Sequence, residues 1–294
     1  MAQKDVIITT FEQGFDKWFY DELVVGQLAK TDFKDGIKRG DEVNVYMPSM
    51  VTLSEYDGGT LGDPELADKS FTKITIDKAA SYHFEVDEVV EKQIQNAPDL
   101  KQRVNLASEY AQDATKQAAA KVDESYAQNY TRAGVWLDGG NAVTLTKANC
   151  IAIFAYMAAE FKRGDDKGHN NWIDGSMYAI VPPEYEYFLT LDEDNKYTES
   201  GQKKVTKGYV GKMCGWNILV SNQITKQEDN YYYPLFGLKG KTLAGGVAKT
   251  LHSEKYRPDR KFTTCYKGYT VYGTGCPRAD LLGAAKLTIN LSLS

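Results

Sequence analysis

Three kinds of fragment in this chain have the residue types of working chemistry, and each fails on spacing. Gly240-Lys241-Thr242 matches the end of a phosphate-binding loop, but that loop needs a glycine five residues before Gly240, where this chain has Leu235. Nor does a clear buried strand precede it. Asp192-Glu193-Asp194-Asn195 resembles the opening of a calcium loop, yet Tyr197 stands where the turn glycine belongs and Lys203 where the closing glutamate belongs. The carboxylate pairs Asp87-Glu88 and Asp165-Asp166 are neighbours on the chain only, and an acid–base pair needs a pocket as well.

Nucleophilic and metal chemistry fare no better. His83 falls on the polar side of an alternating segment beside Glu85, His169 sits in a Gly/Asp/Asn loop, and His252 follows Thr250-Leu251. None has the spacing of a Ser/His/Asp, Cys/His or His-x-x-x-His set. Cys150, Cys214, Cys265 and Cys276 are widely separated and form no Cys-x-x-Cys pair, so in a reducing compartment they read as free thiols. The reading is a protein that is not an enzyme, with no catalytic residue, no cofactor and no metal. Asn129-Tyr130-Thr131 and Asn290-Leu291-Ser292 match glycosylation acceptors, which matter only after secretion.

Composition narrows the remaining classes. The chain has 294 residues, 42% hydrophobic and 26% charged, enough to bury a core and comfortable for two domains. Its net charge of −5 argues against a basic sheath that neutralises phosphates, and so against a sequence-specific DNA reader. Enclosing DNA is not excluded by that argument. Val6-Ile7-Ile8 is too short for the apolar region of a signal peptide, and no apolar run approaches the roughly 20 residues of a membrane span. The expected location is a cytosol. Twenty tyrosines, among them Tyr231-Tyr232-Tyr233, suit contact surfaces because each joins apolar area to a polar tip.

The elements come in a distinctive order. Phe11, Phe15, Trp18, Phe19, Leu23 and Leu28 lie close to helical spacing, with an acidic rather than basic polar face, as expected of an arm packing on protein. Residues 41–47 alternate as a half-buried strand. Residues 48–70 break all periodicity with Pro48, Gly58, Gly59, Gly62 and Pro64, and alternation resumes at Ile74, Ile76, Tyr82, Phe84 and Val86. An excursion that long between strands is usually functional, and this one favours interaction. Leu100, Val104, Ala107, Ala111, Ala114, Ala118 and Val122 form one narrow stripe, predicting a helix over 98–130 of about 45 Å. Beyond Gly139-Gly140 the pattern predicts a helix after a Thr146 cap and a strand at Tyr178–Val181. Pro182-Pro183-Glu184 then opens a helix, and a strand follows at Trp216–Val220. Residues 243–257 could return toward the first sheet. A hairpin is predicted to turn at Lys267-Gly268, and a last strand runs from Leu287 to Leu293.

This order resembles the major capsid proteins of tailed bacteriophages, the Hong Kong 97-type fold, of class α+β. The local wording is similar to that family at Phe19–Phe33 and Gly36 to Val45, at Tyr178–Glu184, at Gly208–Asn222, and late on at Arg257–Phe262 and Gly268–Gly273. The resemblance covers about residues 10 to 290. It implies an N-terminal arm at 1–40 and an extended loop with flanking strands at 41–75. A peripheral domain with a spine helix would occupy 76–134, an axial domain 135–257, and closing peripheral strands 258–294. Loops 164–175 and 225–240 are the candidates for the axial tip. Candidate subunit-interface residues are Phe11, Phe15, Trp18 and Phe19 of the arm, Tyr56, Asp57, Asp63, Glu65, Asp68 and Lys69 of the loop, and the Tyr231–Tyr233 run.

The resemblance also implies self-assembly into pentamers and hexamers of an icosahedral head enclosing double-stranded DNA, in a virion assembled in a bacterial cytoplasm. A separate scaffolding protein and a portal are the implied partners, without a membrane. Some family members join subunits from a loop lysine to an asparagine; Lys69 and Lys73 are available, and no partner is assigned. Two rival readings are an encapsulin-type compartment enclosing cargo enzymes and a soluble enzyme built on the second domain.

Overall fold

Alternation of apolar side chains along residues 43–45 and 72–76 produces the first pairing. The computed structural model describes residues 22–30, 40–48, 69–87, 106–163, 176–190, 209–224, 226–259 and 261–291. Strands β1 (Glu42–Pro48) and β2 (Lys69–Thr75) are antiparallel, in register from Glu42 opposite Thr75 to Pro48 opposite Lys69. Residues 49–68 therefore connect two paired strands, and they lie outside the described residues. Val45 and Ile74 are buried together with Ala244, which seats this ribbon on the rest of the molecule.

Strand β3 (Lys78–Asp87) keeps a clean period of two. Ala80, Tyr82, Phe84 and Val86 turn inward, while Ala79, Ser81, His83, Glu85 and Asp87 are exposed. Helix α1 (Leu106–Ala127) has 22 residues, a length of about 33 Å. The expected start at Pro98 lies outside the described residues. At the far end the chain tightens into a 3-10 turn, Gln128–Arg132. The buried face of α1 is also more polar than the alanine stripe suggests. Thr115 and Asp123 are buried beside Ala111, Ala118 and Val122, and Thr115 satisfies its hydroxyl on the Ala111 carbonyl at 2.8 Å.

Next come β4 (Val135–Trp136) and β5 (Ala142–Thr144), followed by α2 (Cys150–Arg163). The side chain that closes the turn before α2 is Asn149, whose Oδ1 accepts the Thr146 N–H at 2.8 Å. Cys150, Ile153, Phe154, Met157, Ala158 and Phe161 form its buried face, whereas Ala155 is exposed. Then follow β6 (Met177–Val181), α3 (Pro183–Thr190), β7 (Tyr209–Met213), β8 (Trp216–Val220) and β9 (Leu235–Leu238). The chain continues through β10 (Ala244–Tyr256) and β11 (Thr263–Gly275) to the short β12 (Gly283–Ala284) and β13 (Lys286–Thr288).

These strands make a six-stranded sheet in the order β4-β12-β9-β6-β8-β7, a three-stranded sheet β10-β11-β3, and two ribbons, β1-β2 and β13-β5. Helix α1 packs on the three-stranded sheet, and its core joins Val122 and Tyr126 to Tyr272, Leu219 and Leu282. Helix α2 packs on the six-stranded sheet through Phe154, Phe161, Trp216 and Phe236. Trp216 lies edge-on to Phe161 at 5.2 Å and donates its indole N–H to the Phe154 carbonyl at 3.0 Å. Burying each such side chain is worth about 1.5–3 kcal/mol.

One expectation is corrected. No hairpin turns at Lys267-Gly268: β11 runs unbroken through both residues, and Gly268 is buried between Ser253 and Tyr82 in a continuous ladder. The turn falls instead after β10, at Arg257-Pro258-Asp259, where proline cannot continue the strand's hydrogen bonds. The return of residues 243–257 toward the first sheet is seen: residues 244–256 pair with β11 in the three-stranded sheet. Residues 281–289 pack in the α2 core, where Leu281, Ala285 and Leu287 are buried. Leu287 reaches it because β13 pairs in parallel with β5.

Candidate subunit-interface surfaces

The N-terminal segment is held by one carboxylate. Leu23, Val25 and Leu28 are buried, and Gly26–Leu28 forms a 3-10 turn rather than the continued helix that the aromatic spacing predicts. The cause is tertiary. Asp123 of α1 accepts the Val24 N–H at 2.7 Å and the Gly26 N–H at 2.8 Å, taking the place of a capping side chain at the start of that turn. Burial pushes the Asp123 carboxyl up to about 6, against the lowering pull of the N–H groups of Val24, Gly26 and Val25. The segment is then stitched across to the other sheet: Leu28 accepts the Gly240 N–H at 2.7 Å, and Lys30 donates to Leu243 at 2.9 Å. Phe11, Phe15, Trp18 and Phe19 precede this anchor and lie outside the described residues. So do Tyr56, Asp57, Asp63, Glu65 and Asp68; Lys69 opens β2.

The Gly240-Lys241-Thr242 fragment is a structural turn. Gly240 adopts φ +70°, and Thr242 Oγ1 accepts the Leu238 N–H at 2.8 Å while donating to the Leu281 carbonyl at 3.1 Å. Its immediate neighbour β9 lies between β12 and β6 with Leu235, Phe236 and Leu238 buried. Residues 235–238 are thus an interior strand and no part of a tip loop.

The tyrosine run lies just before β9, and its groups have partners within the chain. Lys286 Nζ sits 4.2 Å above the Tyr231 ring. Tyr232 donates its hydroxyl to Glu184 Oε1 at 3.2 Å. Tyr233 stacks on Tyr130 at 4.1 Å and donates to Asp229. That donation holds the Asp229 carboxyl below the usual range, while burial pushes the Tyr233 hydroxyl up. Tyr231 and Tyr232 keep part of their surface in water, and Tyr233 is buried.

The outer face of the three-stranded sheet is a ladder of rings and charges that sequence spacing did not single out. His83 Nε2 and the Tyr256 hydroxyl are 2.9 Å apart with their rings stacked. Lys267 lies over Tyr256 at 5.2 Å and pairs with Glu254 at 3.0 Å. The Thr263 side chain and Lys261, which pairs with Glu85 at 3.1 Å, hold the Glu85 carboxyl below its ordinary value. The signal that could have revealed this face was the exchange of the supposed turn at Lys267-Gly268 for a long continuous strand. His252 lies in β10 opposite Tyr269, and His169 lies outside the described residues. Among the described residues, no group of three or more His, Cys, Asp and Glu side chains comes together in a way that could hold a metal ion. No described helix is long and apolar enough to cross a membrane.

No protein-family model matches the chain, and no curated protein sequence matches it. Solved structures do. A chain of Mycobacterium phage Che8 superposes with a TM-score of 0.65 at 16% identity, over 90% of both chains. A chain from the capsid of cyanophage P-SCSP1u gives 0.65 at 14% identity, over 91% of this chain and 89% of that one. A chain of a virus-like particle from Pyrococcus furiosus gives 0.55 at 9% identity, over 94% and 98%. At such identities the likeness is one of fold. The chain therefore has the α+β Hong Kong 97-type fold found in tailed-phage major capsid proteins.

Proposed function

We propose that this chain is a major capsid protein that assembles into the pentamers and hexamers of an icosahedral phage head around double-stranded DNA. The observation that carries the reading is the match to phage structures, a capsid among them, over about nine-tenths of both chains. The proposal assigns the arm role to residues 1–40 and the overlapping loop to residues 41–75. Helix α1 with the three-stranded sheet forms the peripheral part, and the six-stranded sheet with α2 the axial part. The interface would draw on the arm aromatics, the acidic loop with Lys69, and the exposed parts of Tyr231 and Tyr232. A shell subunit must use several faces heterologously, with closure set by curvature. Scaffolding protein and portal are proposed partners, in a virion assembled in a bacterial cytoplasm.

A second reading, a compartment shell enclosing protein cargo, draws on the likeness to the virus-like particle. Expression of the full chain with its neighbouring genes, followed by electron microscopy, tests both. Closed particles holding nuclease-protected DNA support the phage head. Particles filled with a cargo protein favour the compartment. A monomer under every condition refutes both.

A further inference from the structure

The hairpin between β10 and β11 ends in a side chain that the fold does not use. Phe262 is 79% exposed, the most exposed of the large apolar side chains among the described residues. The Arg257 guanidinium lies 5.7 Å from its ring centroid. Two thirteen-residue strands hold this pair at the end of a stiff ribbon.

A groove of about 630 Å³ runs between α1 and β3 on the same sheet. Tyr82 and Phe84 form one wall, Tyr110, Ala114 and Ala118 the other, and Tyr272 also lines it. Phe84 stacks on Tyr266 at 5.2 Å and touches Tyr110 at 5.5 Å, so an aromatic surface stands ready for another ring. Asp113 and Lys121 of α1 also line it, with Lys121 paired to Glu124 at 2.8 Å. Among the described residues Asp113 meets no cation and accepts only a Gln117 N–H, at 2.7 Å. The chain's own Phe262 does not occupy this groove, as its exposure shows.

We infer that Phe262 with Arg257 is a knob that enters the α1–β3 groove of a neighbouring copy of this chain. The ring meets the aromatic walls, and Arg257 meets Asp113 at the edge of the groove. The two surfaces differ, so the contact is heterologous and extends from copy to copy, as a growing shell requires. A buried aromatic anchor beside an arginine is the composition of an interface hot spot. The contact rests on the shell-subunit reading above.

The test uses the full chain, with p-benzoylphenylalanine in place of Phe262, irradiated after expression under the assembly conditions of the parent protein. Mass spectrometry should find residue 262 joined to a peptide of residues 106–121 or 79–84 of a second copy. Phe262→Ala and Arg257→Asp should each lower particle yield about tenfold or more while the chain stays folded. Asp113→Arg should restore yield in the Arg257→Asp background and lower it alone. Ala114→Trp, which fills the groove, should mimic Phe262→Ala. Particles that form normally with every variant, or with cross-links that map elsewhere, overturn the knob and leave the shell reading standing. A parent chain that forms no assembly and gives no cross-link overturns both.

Discussion

Asp123 offers a quantitative handle on how the N-terminal segment is fastened to helix α1. Its folded value of about 6 stands above the ordinary 3.8 because burial outweighs three backbone N–H groups. A difference of about two pH units corresponds to about 3 kcal/mol. The folded state holds the proton more tightly than the unfolded state, so folding takes up a proton between about pH 4 and pH 6. This group's contribution is therefore fully present below about pH 4, falls as pH rises through that window, and is flat above about 6. Asp123→Asn removes the titration while keeping the shape. One amide oxygen can still accept one of the two N–H groups now held at 2.7 and 2.8 Å, so the variant also carries a pH-independent offset of about 1–3 kcal/mol. The slope is the diagnostic quantity. Urea unfolding of the unassembled chain, followed by tryptophan fluorescence from about pH 4 to pH 7, should show the difference between parent and variant changing by about 3 kcal/mol. It should move in the parent's favour as pH falls. Exchange of the Val24 and Gly26 amides should quicken in the variant at neutral pH. A pH-independent difference would refute the raised carboxyl, and a change of the opposite sign would mean that the N–H groups dominate burial.

Two further outcomes are expected. A Cβ at Gly273 would lie 2.3 Å from the Thr75 carbonyl and 2.9 Å from the Ile76 Cα, both backbone, so Gly273→Ala should cost about 2–3 kcal/mol with unchanged denaturant slope. A neutral result would mean that the β2 ribbon does not press on β11 as described. Of the four cysteines, Cys214 is exposed while Cys150, Cys265 and Cys276 are buried, and burial pushes the Cys276 thiol to about 11. The unassembled native chain at about pH 8 should react with one thiol equivalent quickly and with the other three only on unfolding; rapid modification of two or more would contradict the packing around α1 and α2.

Local pattern was enough wherever one face of an element meets water and the other a core. The alternation at Val43–Val45 and Tyr82–Val86, the apolar run Trp216–Val220 and the Pro183 helix start were all legible, because a half-buried strand or a proline-led turn writes its own period into the chain. The order of these elements also carried the resemblance to the capsid fold, and failed catalytic spacings could be recognised without coordinates. Partners far apart in sequence were not legible. Gly268 looked like a turn because glycine permits one, and only the ladder between β10 and β3 makes it a strand residue. The pairing of residues 244–256 with β11 and of β13 with β5 is likewise chosen across the chain. Buried Asp123 hid in a helix rich in polar residues, since a carboxylate buried 97 residues from the Gly26 N–H it satisfies leaves no local trace. Short-range sterics and periodicity thus determined the elements and their order. Long-range hydrogen bonds and core packing decided which strands meet, which polar groups are buried, and which aromatic side chains stay exposed.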